Sequence, residues 1–222
     1  VNPLVGQLLS DFLVVQHIGA GGVGQVYLAY QQPIQLKAAL KVIDPEELEP
    51  DAGKLERFQL EASALARLTH PNIVRLLKYG QHGERPYIVM EYVEGGSTLK
   101  SLLGTPMAPP LAHRLLDQVA NALAAAHAVD VVHRDIKPSN VMFQTVQGET
   151  HFVRVVDFGL AKFVNESQST RFVSGTPAYM APEQVSQGQI GPWTDWYALG
   201  AMACEMIFGV HPYAHCSVQQ MM

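Results

Sequence analysis

Cysteine is nearly absent from this sequence of 222 residues, which contains only Cys204 and Cys216. Two cysteines are too few for a disulfide framework or for a cysteine-based metal cluster. The sequence therefore indicates structural thiols in a reducing compartment. We expect that compartment to be the cytoplasm, with the chain free there or forming the cytoplasmic part of a longer membrane-anchored protein.

Positive charge and long apolar runs are also scarce. Lysine and arginine number 15 against 20 acidic residues, and the resulting net charge of −5 argues against a nucleic-acid partner. The longest apolar stretch, WYALGAMACEMIFGV at 196–210, contains Glu205 and is too short to span a bilayer. We therefore predict a buried helix there and no membrane segment in the chain.

Glycine, in contrast, is concentrated in GAGGVGQV at 19–26, where three glycines have the spacing G-x-G-x-x-G. This spacing lets backbone N–H groups approach phosphates, where a side chain would intrude. The alternating stretches FLVVQHIG and QVYLAY on either side predict two strands. A dinucleotide-binding motif would open a helix at this point, and a Walker P-loop would place lysine after the last glycine. A glycine hairpin over the phosphates of ATP fits the flanking strands better.

The rest of the chain divides into two segments of different character. Before the glycine-rich break EGGST at 94–98, the patterns predict strands at 36–43, 72–80 and 86–93 and a helix at 54–68. After it, they predict helices at 111–128 and 195–209 and short strands at 140–143 and 152–158. We therefore expect a small β-rich lobe over 1–93 and a mainly helical lobe over 94–222.

Three motifs in the second segment carry the chemistry: HRDIKPSN at 133–140, DFG at 157–159 and APE at 181–183. Together with the glycine hairpin and AALK at 38–41, they resemble the protein-kinase signature set in the same order. The resemblance covers essentially the whole chain and is greatest to the eukaryotic-like Ser/Thr protein kinases of bacteria. It implies an α+β, two-lobe protein-kinase-like fold, with a small antiparallel β lobe containing one helix and a mainly α-helical lobe.

The resemblance implies ATP and Mg²⁺ as cofactors. Strand alternation places Lys37 and Lys41 on one face, so parity alone does not choose the lysine that contacts phosphate. The family pattern A-x-K selects Lys41, and Glu61 matches its ion-pair partner. The backbones of Glu91 and Val93 match the family's adenine-binding hinge. The family alignment places six further residues at the nucleotide: Gly19, Gly21, Gly24, Val26, Ala39 and Met142.

The same resemblance implies the catalytic residues. Asp135 matches the base that accepts or orients the proton of the substrate hydroxyl, and Lys137 matches the lysine that contacts the transferred phosphate. Asn140 and Asp157 match the magnesium ligands, and hard oxygen donors suit that cation. Asparagine also commonly caps turns, which is the structural alternative for Asn140. Lys137 and Thr176 are typical of Ser/Thr rather than Tyr kinases.

Regulation is suggested by Arg134, next to the candidate base. A phosphate of about −1.5 to −2 charges on the loop between DFG and APE could pair with it and order the loop. We expect Thr170 to be the modified residue, with Ser169 second. The alternative is that these are solvated loop residues.

The predicted function is transfer of the γ-phosphate of ATP to Ser or Thr hydroxyls of proteins, with self-association for autophosphorylation of the loop. Asp195 matches the family's buried helical aspartate, but the helices that follow it in the family, one with an arginine for the counterpart of Glu183, have no match here. We therefore expect a lobe that is truncated at its C-terminus. The alternative function is a nucleotide-binding, catalytically weak kinase-like scaffold. A small-molecule phosphotransferase is disfavoured by Lys137, Thr176 and the complete APE motif.

Overall fold

The computed structural model describes residues 4–21, 24–43, 65–83, 85–158 and 177–216. These residues form two compact units. The first contains the described residues up to 69 together with 74–92, and the second contains 70–73, 93–158 and 177–216. None of the helices in these ranges combines the length and the apolar character that a membrane span requires.

The first unit is built on a six-stranded antiparallel sheet with the strand order β1-β2-β3-β4-β6-β5. The strands are β1 (Leu8–Leu9), β2 (Phe12–Gly21), β3 (Gly24–Gln31), β4 (Leu36–Ile43), β5 (Leu76–His82) and β6 (Arg85–Glu91). Residues 65–67 are helical, and the rest of the helix predicted at 54–68 lies outside the described residues. The structure confirms the two strands predicted on either side of the glycines, which are β2 and β3. It also confirms the strands predicted at 36–43 and 86–93, which are β4 and β6.

The two faces of this sheet have different roles. One face packs into the core, which contains Leu4, Leu9, Phe12, Val14, Tyr27, Ala29, Ala38, Leu40, Val42, Tyr87 and Val89. Alternation turns the neighbouring residues of β3 and β4 to the opposite face. There Val26 pairs with Lys41, and Leu28 pairs with Ala39. Three of the residues predicted to bind the nucleotide, Val26, Ala39 and Lys41, therefore lie on the face of the sheet opposite the core.

Gly24, the first residue of β3, is required by strand packing. Its φ is +148°, and a Cβ added there would lie 2.0 Å from the carbonyl oxygen of Val42. Gly19 differs, because a Cβ at that position would meet no atom within 4 Å. The glycine at 24 is thus explained by the approach of β4, independently of any ligand.

In its described ranges, the second unit contains three α-helices and one hairpin. The helices are α1 (Pro109–His127), α2 (Pro182–Val185) and α3 (Pro192–Phe208), and the hairpin strands are β7 (Val141–Val146) and β8 (Glu149–Val155). Short 3₁₀ turns lie at Leu99–Leu102, Pro138–Asn140 and Pro177–Tyr179. Each α-helix begins with proline, whose fixed φ and missing N–H suit the first turn. The two long helices confirm the helices predicted at 111–128 and 195–209, and their buried Leu115, Leu123, Met202 and Met206 contribute to the core.

A buried asparagine attaches residues 70–73 to the second unit. Asn72 Nδ2 donates to Gln118 Oε1 at 3.0 Å and to the Val153 carbonyl at 2.9 Å. Gln118 Oε1 also accepts the Val153 N–H at 2.9 Å, and the Val155 N–H donates to the Asn72 carbonyl. The predicted start of the strand at residue 72 is therefore wrong. The Asn72 carbonyl is hydrogen-bonded to the last residue of β8, and the strand β5 begins only at Leu76.

Candidate active site

Two polar side chains of the second unit, Lys137 and Asn140, contact the Asp135 carboxylate. Lys137 Nζ lies 2.7 Å from Asp135 Oδ2. Asn140 Nδ2 donates to the Asp135 carbonyl at 2.7 Å and to Asp135 Oδ2 at 3.2 Å. The 3₁₀ turn Pro138–Asn140 returns the chain to Asp135 and makes these contacts possible. The Asp135 side chain keeps 45% of its surface exposed, so the carboxylate is partly open to solvent.

The buried His133 side chain contacts the backbone of the loop at 133–140, which carries Asp135, Lys137 and Asn140. The residue is fully buried, and its Nε2 lies 2.8 Å from the Val156 carbonyl. Because a carbonyl only accepts, this contact places the ring proton on Nε2 and leaves Nδ1 to accept the Asp135 N–H at 3.3 Å. The ring also packs against Phe158, with 4.5 Å between centroids. His133 thus joins Asp135 to the DFG segment.

Asp195 holds the backbone of the same loop. This carboxylate lies in the first turn of α3 and is 1% exposed. Its Oδ2 accepts the His133 N–H at 2.8 Å and lies 2.7 Å from His127 Nε2. Its Oδ1 accepts the Arg134 N–H at 2.8 Å. His127, the last residue of α1, was not singled out in the sequence, where the only indication is a lone polar ring at the end of an alanine-rich helix.

Asn140 and Asp157 have the donor atoms that Mg²⁺ prefers. Because Asn140 donates its Nδ2 to Asp135, its Oδ1 remains for a cation, and its carbonyl accepts the Val156 N–H at 3.0 Å. Asp157 follows with a φ of +64°. No group of three or more His, Cys, Asp or Glu suited to a metal occurs in the part of the chain described. Magnesium in nucleotide sites uses one or two protein oxygens with phosphates and water, so this donor set fits it.

The segment after residue 176 is tied to α3. Glu183 accepts a hydrogen bond from Thr194 Oγ1 at 2.6 Å, whereas the family resemblance implies an arginine as its partner. The Tyr179 hydroxyl donates to Glu205 Oε2. Burial and then this hydrogen bond raise the pKa of Tyr179 far above its usual range. Gln184 Nε2 donates to the Arg134 carbonyl at 2.7 Å, a contact that sequence reasoning missed.

In the first unit the two candidate lysines differ in environment. Lys41 is 3% exposed and lies on the face opposite the core. Lys37 is exposed, with its Nζ 5.9 Å from the centroid of the Tyr92 ring. Val26 and Ala39, beside Lys41 on that face, are half-buried. A desolvated ammonium next to partly open apolar residues fits a phosphate-binding lysine better than an exposed one.

Predicted adenine-binding residues occur in both units. In the first, the Glu91 N–H donates to the Arg75 carbonyl at 3.0 Å, so the Glu91 N–H is not available to a base. In the second, Val93 is 5% exposed, and its N–H donates no hydrogen bond to the residues that the structure describes. Met142 lies half-buried on β7. The predicted residues Glu61, Ser169, Thr170 and Thr176 lie outside the described residues, and of Gly21 only the backbone is described.

Residues 12–222 match the family model of the protein kinase domain, so the chain belongs to that family. Proteins of this family generally use ATP and Mg²⁺. The chain is 37% identical to serine/threonine-protein kinase Pkn1 of Myxococcus xanthus over 96% of its length, and 39% identical to PknL of Mycobacterium tuberculosis over the same share. It spans 31% of the length of Pkn1 and 53% of PknL.

A solved structure supports the fold. The kinase domain of M. tuberculosis PknI matches with a TM-score of 0.73 at 27% identity, and the match covers 93% of this chain and 78% of the PknI chain. The predicted fold class, with an antiparallel sheet followed by a mainly helical part, is thereby confirmed.

Proposed function

We propose that this protein is a Ser/Thr protein kinase that transfers the γ-phosphoryl group of ATP to Ser or Thr hydroxyls of protein substrates. The observation that carries the proposal is the Asp135 carboxylate, which Lys137 and Asn140 contact while almost half of its surface stays open. The relatives named as serine/threonine-protein kinases support the same activity.

The proposed chemistry is proton transfer and positioning by residues of the loop. ATP supplies the phosphoryl group, and Mg²⁺ neutralises charge on its phosphates when bound. Asp135 orients the substrate hydroxyl and accepts its proton as the new O–P bond forms and the bond to ADP breaks. Lys137, now 2.7 Å from that carboxylate, supplies a positive charge for the transferred group. Asn140 and Asp157 hold the cation through oxygen atoms.

The nucleotide contacts are assigned to residues of each unit. Lys41 is a buried ammonium, and a buried charge is stabilised by anionic partners. We assign these partners as Glu61 and the non-transferred phosphates. The buried Val93 N–H has the chemistry to donate to a ring nitrogen of adenine. The backbone of β2 is assigned to the phosphates, since a Cβ added at Gly19 would meet no atom within 4 Å.

The remaining parts of the proposal concern regulation and location. Thr170, with Ser169 second, is assigned as the residue that a second copy of the protein phosphorylates, and Arg134 as the residue that pairs with the phosphate. The negative net charge supports protein rather than nucleic-acid substrates. The two free thiols, Cys204 and Cys216, support the cytoplasm as the location.

The test is transfer of labelled γ-phosphate to a Ser/Thr peptide by the wild type and by Asp135→Asn, with nucleotide affinity measured separately by calorimetry. Loss of a general base costs about 10²–10⁴-fold in rate, so we expect a loss in this range with MgATP affinity within about threefold. Asp117→Asn, the same change at an exposed site on α1, is the control. A wild type that binds MgATP and transfers no phosphate would instead indicate the nucleotide-binding scaffold.

A further inference from the structure

Gln184 of α2 makes two hydrogen bonds that fix its amide. Its Nε2 donates to the Arg134 carbonyl at 2.7 Å, and its Oε1 accepts the Ala181 N–H at 3.0 Å. A backbone N–H only donates and a carbonyl only accepts, so one orientation of the amide satisfies both partners. The side chain therefore joins the APE segment to the residue that precedes Asp135.

The Arg134 backbone is held on both sides. Its φ of +69° lies in the left-handed region, which side chains other than glycine rarely adopt. Asp195 accepts its N–H at 2.8 Å, and Gln184 donates to its carbonyl at 2.7 Å. Both contacts come from helices far along the chain, which allows an unfavourable local conformation to persist.

The carbonyl that Gln184 contacts belongs to the peptide plane that leads into Asp135. Because the peptide bond is planar, fixing this carbonyl also fixes the N–H of Asp135. That N–H donates to His133 Nδ1 at 3.3 Å, a long contact that by itself holds the plane weakly. The stronger constraint on the plane is the bond from Gln184.

We propose that Gln184 is a positioning residue for Asp135. It sets the direction of the Asp135 carboxylate through the Arg134–Asp135 peptide plane and touches no substrate. This inference rests on the proposed kinase function.

The sharpest probe is Gln184→Glu. The carboxylate keeps an acceptor for the Ala181 N–H but places a second acceptor against the Arg134 carbonyl, so the plane must rotate. We expect kcat for peptide phosphorylation to fall at least tenfold, with KM for ATP within about twofold. Gln187→Glu, an exposed site on the same segment, makes the same charge change and should match the wild type. Gln184→Met, which removes both hydrogen bonds without adding charge, serves if Gln184→Glu does not fold.

Amide hydrogen exchange of a peptide covering 133–136, measured without nucleotide, gives a readout that does not depend on activity. We expect faster exchange in Gln184→Glu than in Gln187→Glu. Equal kcat and equal exchange in the two variants would overturn the inference. A lower melting temperature with unchanged kcat per folded molecule would also overturn it, since that result describes a structural residue. A wild type without transfer would contradict the proposed function, while the exchange experiment would still test the contact.

Discussion

The replacement Asp195→Asn tests the anchoring of the catalytic loop with a minimal change of shape. Asp195 is 1% exposed and receives hydrogen bonds from His133 N, Arg134 N and His127 Nε2. In the amide, Oδ1 can still accept the Arg134 N–H. The NH₂ group, however, takes the position of Oδ2 and faces the His133 N–H, so two donors meet. His127 can change its tautomer and accept, but the His133 N–H is left without a partner.

The magnitude follows from these three contacts. A hydrogen bond to a charged acceptor contributes about 1.5–3 kcal/mol, and a buried donor left unsatisfied costs about 1–3 kcal/mol. Part of this loss is offset, because the amide does not have to be desolvated as an ion. We expect the free energy of unfolding to fall by about 2–4 kcal/mol. With a urea m-value of about 2–3 kcal/mol/M for a chain of this size, the midpoint should fall by about 1 M.

The assay is urea unfolding followed by tryptophan fluorescence. Both tryptophans, Trp193 and Trp196, lie on α3 with Asp195, and the Trp196 ring contacts His127 edge-on at 5.5 Å. Their emission therefore reports on the helix that carries the changed side chain. Asp117→Asn on the exposed face of α1 is the control. A midpoint for Asp195→Asn within about 0.2 M of the control, at equal m-value, would refute the anchoring role.

Three further predictions concern the first unit. Lys41→Met should lower the rate of phosphate transfer about 10²–10³-fold, because this is the usual cost of removing one preorganised electrostatic contact. The control Lys37→Met should leave the rate within twofold of the wild type. Equal effects of the two variants in the transfer assay would contradict the assignment of Lys41 as the phosphate-binding lysine. Gly24→Ala should lower the free energy of unfolding, measured by urea melts, by about 2 kcal/mol or more, because the added Cβ meets a carbonyl at 2.0 Å and the φ is unfavourable. Gly19→Ala is the control. Because the space beside Gly19 is open, this variant should change the free energy of unfolding by less than about 0.5 kcal/mol. Lys78 Nζ donates to Asp11 Oδ1 at 2.7 Å, and this hydrogen bond lowers the pKa of Asp11 to about 2. The carboxylate therefore stabilises the fold above about pH 4, and that stability is lost as pH falls towards 2. Since the pair is over a third exposed, the contribution should be about 1 kcal/mol or less; a difference between wild type and Asp11→Asn that grows below pH 4 would contradict it.

The fold was predictable where local pattern and tertiary packing agree. Period-two alternation located β3 and β4, since each buries one face against a single core. The alanine- and leucine-rich stretch at 111–128 and the apolar stretch at 195–209 located α1 and α3 to within a few residues. The pattern failed at Asn72, where an apolar run continues smoothly into β5. The buried Asn72 amide is hydrogen-bonded to Gln118, 46 positions away, and so holds Asn72 outside the strand β5. No local pattern in the sequence contains that information.

The candidate site shows the same division. Motif order located Asp135, Lys137 and Asn140, and the structure brings these three together. The residues that hold them were not predicted, because His127 and Gln184 act through contacts 68 and 50 positions away. A lone histidine or glutamine on a helix has no local feature that distinguishes it from a solvated one. The roles of Glu61, Ser169, Thr170 and Thr176 stay predictions.

The backbone explains why stability and catalysis should be coupled in this protein. Arg134 and Asp157 adopt φ values of +69° and +64°, and one precedes the candidate base while the other is a candidate metal ligand. Such conformations cost about 1–3 kcal/mol each for residues other than glycine, so the local sequence does not select them. They persist because Asp195, Gln184 and the Asn140 carbonyl hold Arg134 and Val156 from outside. Weakening one of these supports lets the loop relax towards ordinary backbone angles, which moves the functional side chains before the unit unfolds. Variants of Asp195 and Gln184 should therefore lose phosphate-transfer rate at urea concentrations where the tryptophan fluorescence is still native. Variants that create a cavity in the core should instead lose the transfer rate and the native fluorescence at the same urea concentration.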